Sequence, residues 1–577
     1  MPVFSARSRL TDVLASEEAR AAITRVAPHF LTSPWVEIGA DFPLGTTVRA
    51  ALGVEEELAE EVIALVSTIT DPTVRRAESP AMPADPDLEG PSVPRASASI
   101  ELPARASTDA PVDVVLTGPC VGNPFVDVEL TAVFRGDDTE VRVGGFYDGD
   151  GRYVLRFLPP AAGVWTFESS STARSLDGVQ GEIEVAAGHG HGPVRVADTF
   201  HFEHADGTPY RPVGTTAYAW THQDQRLQEE TLDSLAGTPF TKLRMGLFPK
   251  SFLYNENEPE EFVFEKAGDG TWDTTRFDLD YFRHLEKRIR QLDELGIQAD
   301  LILFHPYDRW GFADLGRAAD DRYISYVVRR LSAFPNVWWS MANEYDLLLG
   351  KTAEDWDRLA GLVQANDPVG HPLSIHNWVE IFDYSAPWAT HASIQNGDST
   401  AANVDKWRHQ WGKPVVIDEF GYEGDLDQGW GNLTAEAALS RHWLGTLRGG
   451  YLTHGETFYR DDHVIFWAKG GTLTGAVPGK LRFLEQIVAE SPTGRLEPLS
   501  SDFDAVRGGV AEQYVLIYFA DRRPLFRDVQ IPEGSTARID VLDTWNCTAT
   551  PLAGRHEGTV RVPLPARPWM AIRLVLE

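Results

Sequence analysis

The chain has 577 residues, with 52 basic against 85 acidic side chains and a net charge of −33. Hydrophobic residues make up 43% and aromatics 11%, which excludes a disordered chain and allows a large core without disulfide staples. The negative balance argues against nucleic acid and anionic membrane as partners, because both would repel it.

In chain order, the opening Met1-Pro2-Val3-Phe4-Ser5-Ala6-Arg7 starts no apolar run of the signal-peptide kind, so a cytoplasmic location is expected. Ser16 ahead of Glu17 and Glu18 predicts a capped helix start. Glu55, Glu56 and Glu57 precede Leu58, Val62, Ile63, Leu65, Val66 and Ile69, an apolar stripe at helical spacing. Residues 1–70 therefore read as two or three short helices, a poor core alone. They are expected to pack on something else, with a second copy of the chain in a homo-oligomer as one expectation. Residues 71–98 hold Pro72, Pro80, Pro83, Pro86, Pro91 and Pro94 and read as an extended linker.

From 99 to 190 the period is two, as in Val126-Asp-Val128-Glu-Leu130 and Tyr153-Val-Leu155-Arg-Phe157, which predicts an immunoglobulin-like β-sandwich. From 200 to 490 strands and helices alternate. Candidate strands are 212–216, 241–247, 298–304, 337–341, 372–376, 390–394, 414–417 and 450–453, with an amphipathic helix at 279–295. Eight strands with helical crossovers predict an α/β fold, a (β/α)8 TIM barrel. From 491 to 577 the period returns to two, and Tyr514–Ala520, Thr536–Leu542 and Met570–Val575 read as strands of a second sandwich. Tyr514–Ala520 is also the longest apolar run, far short of the roughly 20 residues a membrane helix needs. Two distant cysteines, Cys120 and Cys547, exclude a disulfide framework.

A barrel carries its chemistry at the C-terminal ends of its strands. The residues there are Tyr218, Trp220 and His222 after the first strand and Arg244 within the second. His305, Asp308 and Trp310 follow the third, and Asn343 and Glu344 the fourth. His376 and Asn377 belong to the fifth, His391 and Gln395 to the sixth, Glu419 to the seventh. His454 and Glu456 follow the eighth, with Trp467 beyond. Carboxylates can protonate a leaving oxygen and attack an anomeric carbon, and flat aromatic faces hold sugar rings. Glu423 and Asp346 read as structural, while Asp308 and Glu456 are candidates for sugar hydroxyls. The histidines lack a His-Glu-x-x-His pattern, and the one His-x-His, at His189 and His191, precedes the barrel. No metal and no cofactor is expected.

Asn343-Glu344 after the fourth strand and Glu419 within Ile417-Asp418-Glu419-Phe420-Gly421 after the seventh resemble clan A glycoside hydrolases. The order sandwich, barrel, sandwich resembles the apiosidase-like and cellulase-like members. The resemblance implies Glu344 as acid/base, Glu419 as nucleophile supported by Arg244, and Asn343 as a hydrogen-bond partner of the substrate hydroxyl beside the anomeric carbon. It implies a carbohydrate substrate and a retaining reaction, expected to be exo-acting on short glycosides. Two alternatives stand beside it: a furanosidase on the same scaffold, and a carbohydrate-binding protein without activity.

Overall fold

Eight short segments in the middle of the chain are buried along nearly their whole length, as parallel strands covered on both faces must be. They are β1 (Gly214–Thr216), β2 (Lys242–Gly246), β3 (Gln298–Phe304), β4 (Val337–Ala342), β5 (Leu373–Ser374), β6 (Ala392–Gln395), β7 (Val415–Glu419) and β8 (Tyr451–His454). In the computed structural model, which describes residues 3–40, 42–52, 56–71 and 78–577, they hydrogen-bond in parallel in the order β5-β4-β3-β2-β1-β8-β7-β6. One parallel bridge, His376 to Ser393, joins the two ends and completes the barrel. Every crossover carries an α-helix except the one from β5 to β6.

The helix Leu279–Glu294 shows how sequence sets these elements. Asp278 caps it by accepting from the Asp280 and Tyr281 amides, and Phe282, Leu285, Ile289 and Leu292 bury one face. Each such side chain contributes about 1.5–3 kcal/mol of burial.

The barrel floor was not legible in the sequence. A three-stranded sheet, Val194–Ala197, His201–His204 and Pro209–Tyr210, packs Phe202 against Trp338 at the start of β4 and Tyr451 at the start of β8. It plugs the N-terminal end and leaves the C-terminal end for chemistry.

Two four-stranded antiparallel sheets precede the barrel and close on each other through Phe134 and Phe157, stacked at 4.0 Å. Arg156 fixes this sandwich to the barrel. Its guanidinium bonds Asp113 of the sandwich at 2.7 Å and Glu286 of the helix Leu279–Glu294 at 2.9 Å. Behind the barrel lies a six-stranded antiparallel sheet with a two-stranded one. Tyr514 donates to Ile487 O at 2.7 Å and Tyr518 to Ser440 Oγ at 3.1 Å, both on barrel helices.

The N-terminal region holds more than two or three helices: α-helices at Leu10–Ala15, Glu17–Val26, Pro34–Ile38, Leu44–Leu52 and Glu56–Val66 share a core of Phe4, Val13, Ile23, Phe30, Val48 and Val62. Pro34, Gly39 and Pro43 cut them too short for a period to show. Ser16 caps the second by accepting from Ala19 N. This bundle rests on its own barrel: Arg7 donates to Tyr345 O at 2.7 Å, and Phe42 meets Trp378 edge-on at 5.3 Å. The readings at Met1, Pro2, Glu55 and Pro72 lie outside the described residues.

Candidate active site

β4 runs into Asn343-Glu344, and neighbouring strands pin the backbone on either side of Glu344. Asn343 N donates to Phe304 O at 2.9 Å, and Tyr345 N to His376 O at 2.9 Å. Between these anchors Glu344 takes a left-handed backbone, φ 53° and ψ 56°, which a non-glycine residue adopts at a cost of about 1–3 kcal/mol. Glu419 closes β7, with its carbonyl accepting from Asn396 N at 2.8 Å.

The two carboxylates face each other across Gln395. With its amide nitrogen turned to the acids, that nitrogen lies 3.1 Å from Glu344 Oε1 and 3.2 Å from Glu419 Oε2. Asn377 holds Gln395 in place, accepting from its backbone N at 3.1 Å and donating to its O at 3.3 Å. A tyrosine serves each acid: Tyr218 donates to Glu419 and Tyr307 to Glu344. His376 Nε2 stands 4.0 Å from Glu419 Oε1, and burial holds its imidazole neutral, well below its ordinary pKa. Burial, then repulsion from Glu419, pushes the Glu344 carboxyl up to about 8, so it carries a proton at neutral pH.

Beneath the acids, inside the barrel, lies a closed ionic cluster. Lys242 Nζ bonds Asp300 at 2.6 Å and Asp418 at 2.7 Å, and Arg244 bonds both aspartates as well. Arg244 also donates to Asn343 Oδ1 at 3.0 Å, which leaves the Asn343 NH2 as the group that can meet a ligand hydroxyl.

The expected substrate contacts divide. Tyr218, His305, Asn343, His376, Gln395 and Trp467 gather around the acids. His305 lines the pocket with Tyr218, Tyr307 and Asn343, its imidazole pushed down to about 4 by burial. Trp467, on the short helix Phe466–Lys469, stands edge-on to Tyr218 at 5.7 Å.

The others do different work. Arg244 is fully buried and reaches the site through Asn343. Asn377 acts through Gln395. Trp220 is a core residue with its indole on Met245 Sδ at 3.4 Å. His222 stacks on Tyr281 at 5.8 Å, in a separate polar cleft with Gln228 and His284. Asp308 ties its own turn, accepting from the Trp310, Gly311 and Ala313 amides. Trp310 bonds Glu258 on the outer loops. His391 precedes β6 rather than following it, so it lies at the barrel floor, 5.1 Å from the Trp338 ring. Glu456 accepts from Thr474 and Gly475 beyond the pocket wall.

One pocket residue carried no signal in a reading for carboxylates, histidines and aromatics. Lys250 is buried after β2, its ammonium 3.8 Å from the Tyr218 ring, 4.3 Å from Tyr307 and 4.6 Å from Trp467. Burial pushes it down to about 8, against the pull of Glu344 and Glu419. The motif that could have exposed it is its place in the first loop after a barrel strand, in Phe248-Pro249-Lys250.

Known proteins match this architecture. The family profile described as apiosidase-like, catalytic domain, covers residues 197–458. Two domains of unknown function, DUF5060 and DUF5605, match residues 110–172 and 503–575. A crystal structure from Bacteroides vulgatus ATCC 8482, described as a candidate glycoside hydrolase, is 36% identical with a TM-score of 0.78, over 82% of this chain and 99% of that one. A glycoside hydrolase family 5 structure from the same organism shares the fold at 14% identity, with a TM-score of 0.52 over 67% of this chain and 94% of that one. No curated protein matches. With two glutamates facing each other at the ends of β4 and β7 of such a barrel, the chain belongs to the glycoside hydrolases with an apiosidase-like catalytic domain.

Proposed function

We propose that the protein cleaves glycosides with retention of configuration, acting on the terminal sugar of short substrates. One observation carries this reading: Glu344 and Glu419 share the Gln395 nitrogen at 3.1 and 3.2 Å. Oxygens that share one nitrogen at those distances favour the roughly 5–5.5 Å separation of a nucleophile pair over the about 6.5–9.5 Å at which an inverting enzyme holds a water between acid and base. Glu344, protonated at neutral pH, gives its proton to the glycosidic oxygen as the C1–O bond breaks. Glu419 forms the new bond to C1. Water then attacks C1 while Glu344 takes the proton back, releasing the sugar and restoring both groups. Asn343 donates to the neighbouring hydroxyl, and Trp467 offers a flat face. Terminal action is supported by the crowded pocket, where Lys250 and Trp467 fill the depth and the N-terminal bundle meets the rim at Tyr345 and Trp378.

A second reading, a pentofuranosidase, is favoured by the apiosidase-like profile over the barrel. A panel of nitrophenyl pyranosides and furanosides separates the two, and proton NMR of the first-formed anomer tests the mechanism. Retained configuration is expected. First-formed product of inverted configuration overturns the nucleophile assignment, and sugar binding without release from any glycoside favours a binding protein.

A further inference from the structure

Just past the ends of β7 and β8 lies a second pair of acids that the hydrolysis leaves unused. Glu423 and Glu456 sit opposite each other on two short paired strands, Glu423–Gly424 and Glu456–Thr457, and both are buried. Each grips the same segment: Glu423 accepts from Ala476 N at 2.8 Å and Val477 N at 3.2 Å, Glu456 from Thr474 N and from Gly475 N at 2.8 Å. Among the described residues no lysine or arginine pairs with either. The buried pair Asp300 and Asp418 has two such cations. Two adjacent carboxylates out of water need a positive charge or a proton.

The third side chain at this place is His454, the last residue of β8. It is fully buried, and neither ring nitrogen has a hydrogen-bond partner. Its Nε2 points at Glu423 Oε2 from 3.6 Å. One ligand atom from each of Glu423, His454 and Glu456 falls within 4.8 Å of the others. Tetrahedral ligands about 2.1 Å from a zinc ion stand roughly 3.4 Å apart, close to the His454–Glu423 separation. Gly475 keeps the space clear, because a Cβ there would collide with both carboxylates.

We propose that Glu423, His454 and Glu456 form a structural site for a divalent first-row transition ion of the zinc class. Two carboxylate oxygens and one imidazole nitrogen suit such an ion better than calcium or magnesium, which take oxygen shells. The ion ties the β7 and β8 extensions to the 474–477 segment. Tyr422, one residue before Glu423, packs on Trp467 at 5.8 Å, so the clamp steadies an aromatic wall of the pocket without touching the two catalytic acids.

The test uses the full chain, stripped with chelator and dialysed against zinc. About one tightly held zinc per chain is expected, with a thermal midpoint that falls on chelation and returns on adding zinc. Cobalt(II) gives an independent reading: the intact protein should develop the visible absorption of a tetrahedral nitrogen–oxygen site. His454→Gln and Glu456→Gln should each abolish both signals. Where a variant fails to fold, the cobalt spectrum of the unaltered chain still decides. No zinc retained by the intact chain and an unmoved midpoint overturn the proposal, and so does zinc retained equally by a folded His454→Gln variant. The first outcome means the two glutamates share a proton instead, and the second that the ion is held without His454.

Discussion

Asp418 and Glu419 are neighbours in the chain, and their surroundings differ sharply. Asp418 turns into the barrel, where Lys242, Arg244, Ser393 and Thr453 all donate to it, and this holds its carboxyl far below the usual range despite complete burial. Glu419 ends the strand and receives a tyrosine hydroxyl and one amide, with a neutral imidazole 4.0 Å away. A carboxylate whose lone pairs are all taken can hold elements together but cannot attack carbon. One with spare lone pairs facing a pocket can.

That contrast is broken most forcefully by amide substitutions at the two positions. Glu419→Gln should lower turnover by roughly 10⁴-fold or more with little change in thermal midpoint. Asp418→Asn should cost about 3–5 kcal/mol of stability, because it strands a cation of the Lys242–Arg244 cluster, and calorimetry reads the difference. A wild-type rate in the first variant, or an unchanged midpoint in the second, would reverse the assignments.

The next effect concerns Glu344. Glu344→Gln should lose roughly 10²–10⁴-fold in rate, least on substrates with good leaving groups, which need no proton. Its stability should sharpen the picture further. The Glu344 carboxyl titrates near 8 in the folded protein against an ordinary 4.5, so its protonated form favours folding at low pH and that contribution is lost as pH rises through 8. Glutamine has no proton to lose. The variant should match wild type at pH 5 and melt higher at pH 9, and equal midpoints at both would refute the raised carboxyl.

The smallest effect belongs to Lys250. Its ammonium opposes the rise at Glu344, so Lys250→Met should move the alkaline limb of the rate profile up by roughly one unit. A limb that stays or falls would show that the caged cation does not feel the acids.

The barrel itself was legible because buried parallel strands are continuous apolar runs, and each expected strand lies within a few residues of its place. The two facing glutamates were legible because strand ends could be counted. A position just past a strand end, however, does not determine the direction of its side chain. Asp308 turned back on its own loop, and Trp220 and His222 turned outward into helix packing. His391 was read with the sixth strand, which in fact begins one residue after it. Lys250 escaped because its place after β2 does not by itself show that it is caged: its rings come from the segments after β1, β3 and β8, more than two hundred residues away in the case of Trp467.

The left-handed backbone at Glu344 sets folding and chemistry at odds. Glycine or asparagine would sit there with less strain, and replacing the buried acid would also remove its repulsion with Glu419. Selection for heat resistance alone would therefore favour replacing this residue, at the expense of the proposed chemistry. A library screened for stability and one screened for turnover should diverge at residue 344, where the preference of the fold and the proposed chemistry pull apart.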